Sequence, residues 1–293
     1  MAADALITTA RKAFYAALLD GPLTADQNGV LSIADKTNNP SKLIAAALVQ
    51  RMGIARTAIK GDGQSAGSTF ETVVANFLRS TFLHLSHLRP GAWEICDTAT
   101  HGKLQIANFA QYEHLMRLKA KADADPDLRA VLGGDYLIAP DVVLLRSGEP
   151  DEVLNRPGSI VDEGSARLAP LRAANTGGTP VRFLHASVSC KWTLRSDRAQ
   201  NARSEALNLL RNRKGHAPHV VAVTAEPLPS RLASLALGTN DLDCAYHIAL
   251  PELREAVAEC VDGERSDQGG TLEMLINGRR LRDISDLPLD LAV

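Results

Sequence analysis

The stretch SVSCKWTLRSDRAQNARSEALNLLRNRKG, residues 187–215, decides the fold class. It begins inside VRFLHASVSCKWTL, residues 181–194, a partly alternating run rich in Val, Phe, Leu and Trp that reads as a strand. Residues 197–212 then read as a helix, and HVVAVTA at 219–225 as a further strand. A strand, a helix and a strand in succession point to an α/β fold.

Upstream, DYLIAPDVVLLR (135–146) reads as a buried strand interrupted at Pro140, and 147–180 is polar and turn-rich. The Gly/Ser-rich loop GDGQSAGS (61–68) precedes an amphipathic helix expected over Thr69–Leu88, with Ser68 and Glu71 forming a capping box. Further helices are expected at 3–19, 41–52, 109–122 and 126–132. Downstream, Leu242–Ile248 and Glu273–Ile276 read as strands around a helix at 251–261. No repeat or clean linker divides the chain. The expectation is one α/β domain over 1–293, with a central mixed sheet flanked by helices and a helical N-terminal part.

Three short pieces carry chemistry: Pro140-Asp141, Ser189-Cys190-Lys191 and Glu205. Phosphodiester hydrolysis needs hard oxygen ligands for metal ions, an activated water and a nearby cation. Asp141 and Glu205 supply carboxylates suited to Mg²⁺. Lys191 supplies the cation. Along a strand, 189 and 191 share one face while Cys190 faces away, so its carbonyl, not its thiol, is the group offered to a metal. Singly, Pro-Asp is a common turn dipeptide, Lys191 suits an edge strand and Glu205 suits a solvated helix. The segment between them adds weight. Arg195, Asp197 and Arg198 cluster where strand yields to helix, and arginines there oppose the helix dipole unless a polyanion is near. Paired arginines suit guanine O6 and N7, and Asp197 suits cytosine N4. Arg198, Ala202 and Glu205 are spaced by four and three, on one helical face.

Charge is concentrated in the same place. The net charge is −2, yet residues 191–216 hold seven basic and two acidic side chains, a local formal charge of +5. A locally basic surface fits a DNA partner without implying non-specific coating. Four widely spaced cysteines and no secretory start suit a reducing cytoplasm. No apolar run approaches a membrane span. Cys244-x-x-His247 lacks the second ligand pair of a zinc site, so Cys244 reads as core. No Gly-x-Ser-x-Gly elbow or phosphate-binding Gly-rich Lys loop supports a metabolic hydrolase.

The block 187–215, with RPGAWE (89–94), APDVVLL (139–145), VTAEPLPSRLASLALGT (223–239) and RRLRDISDLPLDLAV (279–293), resembles the NgoMIV family of restriction endonucleases. These belong to the CCGG-core group of type II enzymes within the PD-(D/E)xK superfamily. The resemblance runs the whole chain and implies a restriction-endonuclease-like core and Mg²⁺-dependent cleavage of double-stranded DNA. It implies Ser189 in place of the usual second acid, with Glu205 taking over that function. By the same match Asp141 is the principal metal carboxylate, Lys191 the catalytic lysine and Glu71 an additional acid. Arg195, Asp197 and Arg198 match the residues that contact the inner CCGG, Arg231 the outer G·C pair, and Asp35 and Gln64 the minor groove. Thr37 stands where the family has serine, and both offer a hydroxyl. The implied site is GCCGGC, cut after the first G to leave a four-base 5′ overhang, by homodimers paired into a tetramer on two sites. A structure-directed repair nuclease would keep Asp141, Lys191 and Glu205 but have no use for the arginines. A non-cleaving DNA-binding module would need the arginines alone.

Overall fold

The computed structural model describes residues 4–54, 66–102, 105–132, 138–176, 181–194, 196–237, 241–260 and 267–293. The strands are β1 (Trp93–Asp97), β2 (Val142–Ser147), β3 (Arg182–Lys191), β4 (His219–Thr224), β5 (Cys244–His247) and β6 (Leu281–Asp283). They form one sheet whose spatial order follows the chain, β1-β2-β3-β4-β5-β6. The pairs β1–β2 and β2–β3 are antiparallel, whereas β3–β4, β4–β5 and β5–β6 are parallel. The sheet is therefore mixed, as expected. Parallel neighbours need a crossover. Those crossovers carry most of the C-terminal helices.

The helices in chain order are α1 (Leu6–Asp20), α2 (Asn39–Arg51), α3 (Ala66–Thr81), α4 (Thr98–His101), α5 (His114–Ala124), α6 (Pro126–Leu132) and α7 (Asp151–Leu154), then α8 (Ser196–Asn212), α9 (Pro229–Ala236), α10 (Leu250–Cys260), α11 (Gln268–Asn277) and α12 (Leu287–Asp290). Helix α8 links β3 to β4, α9 links β4 to β5, and α10 and α11 link β5 to β6. Local chemistry sets several starts. The Asn38 side chain accepts the Ser41 N–H (2.9 Å), with Pro40 in the first turn of α2. Asp97 caps α4 by accepting the Thr100 N–H (2.7 Å).

Helix α3 packs against β1, β2 and β3, and α1 packs on α3. Its Phe70, Val73, Val74, Phe77 and Leu78 are buried, which is the apolar face read from the sequence. One apolar cluster runs from Ala10 in α1 to Leu291, through Val142–Leu145 of β2 and Val220–Val223 of β4.

Several readings change, among them the helix expected at 109–122, which begins only at His114. Helix α3 begins at Ala66, so Ser68 lies inside the first turn and does not cap; its carbonyl accepts the Thr72 hydroxyl (3.2 Å). The helix also stops at Thr81 and yields to a 3₁₀ turn over Phe82–Leu85. Residues 273–276 are helical, because Leu272 and Leu275, three apart, share the buried face of α11. Strands β1 and β6 carry no signal in the sequence as read above. A bulge places His185 between the pairs Leu144–Ala186 and Leu145–Leu184. Beyond the end of β4, the buried Gln111 amide bonds both the N–H (3.0 Å) and the carbonyl (2.8 Å) of Leu184 in place of a strand.

Candidate active site

The antiparallel pairing of β2 with β3 sets the centre of the site. Val142 lies opposite Val188, so Asp141, just before β2, meets the C-terminal end of β3. Asp141 Oδ2 accepts the Cys190 N–H (2.8 Å) and stands 3.0 Å from Lys191 Nζ. Lys191 Nζ is also 4.0 Å from Glu205 Oε2, on the third turn of α8. The Ser189 hydroxyl donates to the same Glu205 oxygen (3.5 Å). A carboxylate from α8 thus reaches the place that a side chain at 189 addresses. Glu71, on the second turn of α3, completes the group. Its carboxylate accepts the Thr98 hydroxyl at the start of α4.

These residues line one cleft of about 520 Å³, with Glu71, Asp141, Cys190, Lys191 and Glu205 along its wall. Trp192 also lines it. Its ring packs edge-on against Phe70 (5.0 Å), and its Nε1 donates to Ser32 Oγ (3.2 Å). Eight residues beyond Glu71, on the same face of α3, Arg79 donates to Asp97 Oδ2 (2.9 Å) and to the Ile95 carbonyl (2.9 Å). Glu71–Thr98 and Arg79–Asp97 therefore pin α3 to the β1–α4 corner at two points.

Electrostatics follow from burial. Desolvation pushes the Glu71 carboxyl above the usual carboxylate range; the Thr98 bond opposes this and the Asp141 charge adds to it. Desolvation likewise raises Glu205, with Lys191 opposing and Asp141 adding. Burial works against the Lys191 charge, but Asp141 and Glu205 outweigh it and hold the ammonium above its ordinary value. Burial keeps the Cys190 thiol protonated, which removes the sulfur as a metal donor at neutral pH.

The DNA-facing candidates divide. Gln64 and Arg195 lie outside the described residues. Asp197 and Arg198 are described as backbone in the first turn of α8, immediately beyond the cleft residue Thr193 and Leu194. Arg231, at the start of α9, is salt-bridged to Asp35 across nearly two hundred residues of sequence, which brings these two candidates together. Asp35 is held down at about 2 by the Thr37 hydroxyl and N–H and by Arg231. The Thr37 hydroxyl thus donates to the carboxylate that also pairs with Arg231.

Sequence reasoning missed Thr98, Trp192 as a cleft-lining residue, and Glu226. Glu226 is fully buried (0% exposed) and 3.7 Å from Arg231 Nη1. Only its place at the end of the apolar run HVVAVTA hints at it. Cys244 is buried, as expected of a core residue, and His247, which carried no such expectation, is fully buried as well. Elsewhere, Glu94, Cys96 and His101 bring ligand atoms within 4.8 Å of one another, but none lines the cleft, and Arg182 stands 3.4 Å from the Glu94 carboxylate. Among the described residues no helix is long and apolar enough to cross a membrane.

The chain is 47% identical over 289 residues to the type II restriction enzyme NgoMIV of Neisseria gonorrhoeae, a match that covers 98% of this chain and 99% of that enzyme. The NgoMIV restriction enzyme family matches residues 14–293. With the mixed six-stranded sheet and a carboxylate–lysine cleft where β2, β3, α3 and α8 meet, the chain belongs to the NgoMIV family of type II restriction enzymes.

Proposed function

We propose that the chain acts as one catalytic domain that cleaves double-stranded DNA at GCCGGC with Mg²⁺, cutting after the first G to leave four-base 5′ overhangs. The observation that carries this reading is the convergence of Asp141, Lys191, Glu205 and Glu71 in one cleft, beside the first turn of α8. The donor set fits a divalent cation. Three carboxylates, Glu71, Asp141 and Glu205, face one ammonium among the described residues of the cleft, and two of them are raised partly by the charge of the third. Asp141, Glu205 and the Cys190 carbonyl would hold Mg²⁺, all of them hard oxygen donors. When bound, Mg²⁺ supplies concentrated positive charge at the scissile phosphate.

The chain's own residues do the rest. Lys191, fixed between two carboxylates, presents a cation to the phosphate and orients the attacking water. Ser189 holds the Glu205 carboxylate by its hydroxyl. Thr98 holds Glu71, the further acid, against the cleft wall. Arg195, Asp197 and Arg198 contact the inner CCGG from the entrance of α8. Arg231 contacts the outer G·C pair in the major groove, and Asp35 and Gln64 the minor groove. Two copies pair into a dimer, and dimers into a tetramer that engages two sites. Four free cysteines among the described residues fit a cytoplasmic restriction–modification enzyme.

The test is a Mg²⁺-dependent digest of plasmids carrying one or two GCCGGC sites, with sequenced ends. CCGG overhangs and faster cutting of the two-site plasmid are expected. Cutting at another CCGG-containing site overturns the role of Arg231. Random nicking, or tight binding without cutting, overturns the restriction reading.

A further inference from the structure

Among the described residues near the DNA-facing candidates, Glu226 is a fully buried carboxylate whose place the cleavage chemistry does not explain. It leaves the end of β4 in the turn Ala225-Glu226-Pro227, and the Thr224 hydroxyl accepts its own N–H (3.2 Å). Its two oxygens point two ways. Oε2 accepts the Leu194 N–H (2.8 Å), the last described residue before Arg195. Oε1 accepts the Leu228 N–H (3.2 Å), the residue that caps α9, three before Arg231. Oε2 also lies 3.7 Å from Arg231 Nη1, while Arg231 Nη2 bonds Asp35. A single carboxylate therefore touches the entrance to the inner-base segment, the helix that carries the outer-base arginine, and that arginine itself. A buried charge of this kind persists only where its hydrogen bonds are made.

We propose that Glu226 is a positioning residue that fixes the chain at Leu194, where it enters α8, and Arg231 in register with each other, so that inner and outer base pairs are recognised as one unit. This rests on the assignment of Arg195, Arg198 and Arg231 to the bases. Both oxygens are needed as acceptors, because the two N–H groups they serve belong to different elements. Glutamine at this position keeps one acceptor and replaces the other with a donor that faces an N–H. Alanine removes both.

Protonation does the same as glutamine. Burial pushes the Glu226 carboxyl up to about 7, against the Leu194, Leu228 and Arg231 contacts. The charged and titratable groups around it are Arg231 of α9, Asp35 of the loop before α2, and His247 of β5. Asp35 is held at about 2 and His247 is pushed down to about 4, so neither changes charge between pH 6 and 8. Within that window Glu226 alone of these groups titrates.

The experiment compares cleavage of three short duplexes, GCCGGC, one changed only in the outer pair and one changed only in the inner pairs, by wild type, E226Q and R231A. Ratios of kcat/KM between duplexes cancel the shared chemistry and its metal dependence. E226Q should lose about tenfold or more in discrimination at both inner and outer pairs, mostly through KM, whereas R231A loses it at the outer pair alone. Wild type should discriminate better at pH 8 than at pH 6, with a midpoint near 7 that E226Q abolishes. The wild-type profile needs no variant, so it decides the matter even if E226Q folds poorly. Wild-type ratios in E226Q, or a flat wild-type profile from pH 6 to 8, overturn the role of Glu226 while R231A still establishes the outer contact. If R231A itself keeps full discrimination, the assignment of Arg231 falls and this inference falls with it.

Discussion

Asp141 is bonded twice in the free protein, to the Cys190 N–H and to Lys191, so its carboxylate is positioned before any DNA arrives. Asp141→Ala should abolish cleavage with Mg²⁺ and leave specific binding intact or tighter, because a negative charge near the phosphate is gone. A band shift beside a digest checks this, and surviving cleavage would refute the assignment. Thr98 is a subtler case. Its hydroxyl is the described partner of a half-buried acid, and losing a hydrogen bond to a charged group costs about 1.5–3 kcal/mol. Thr98→Val should therefore slow cleavage by roughly tenfold or more, with site preference unchanged, since no base contact is touched. Arg198→Ala should show the opposite pattern, a loss of about 1–3 kcal/mol in preference for the site over a mutated duplex, read by competition titration. At this scale Asp141, Lys191 and Glu205 stood out as candidates only in combination with the arginines between Lys191 and Glu205, whereas Glu71 as an acid and Arg231 were reached through the family resemblance alone. Thr98 and Glu226 were not legible, because each takes its meaning in part from a partner distant in sequence, 27 and 32 residues away.

The strand–helix unit β3–α8 could be read directly, since its burial runs along a long strand and its helix is amphipathic over four turns. Short elements could not. Strand β6 spans three residues and owes its form to pairing with β5. Strand β1 is WEICD, five residues whose identity depends on β2 lying alongside. The run EMLI fits either form locally; burial of Leu272 and Leu275 on one side decides for helix. The β1–α4 corner matters more than its length suggests. Asp97 is fully buried, caps α4 and pairs with Arg79. Arg79→Ala strands that charge and should destabilise the fold by about 3 kcal/mol, toward the low end of such losses because Arg79 is partly exposed. Urea unfolding measures it. A loss below about 1 kcal/mol would show that water replaces the arginine. Residual folded enzyme should also cut slowly, since the same corner carries Thr98.

For the whole molecule, pH divides stability among identifiable groups. Burial pushes His185 and His247 down to about 4, below the ordinary histidine value of about 6.5. Between those values the unfolded chain takes up protons that the folded chain refuses, so their contribution is complete above about pH 6.5 and is lost as pH falls toward 4. Glu226 works the other way. Its folded value is raised to about 7, so the folded chain keeps a proton between about pH 7 and the usual carboxylate range, and its contribution grows as pH falls there. Relative to wild type, His185→Gln should flatten the loss of stability on acidification, and E226Q should steepen it. Urea midpoints at pH 7.5, 6 and 5 provide the comparison, and parallel curves for all three proteins would contradict both shifts.

Strand order in the sheet repeats strand order in the chain. During synthesis, each strand after β1 leaves the ribosome with its neighbour already made, and no later strand has to be inserted between earlier ones. The cutting machinery is divided along that sequence of events. Glu71 and Asp141 emerge first, Lys191 follows, and Glu205 arrives only with α8. A truncated or stalled product ending before α8 has the first part of the sheet and no complete set of acids. Under the proposed roles, the set of acids closes only when α8 follows β3 out of the ribosome.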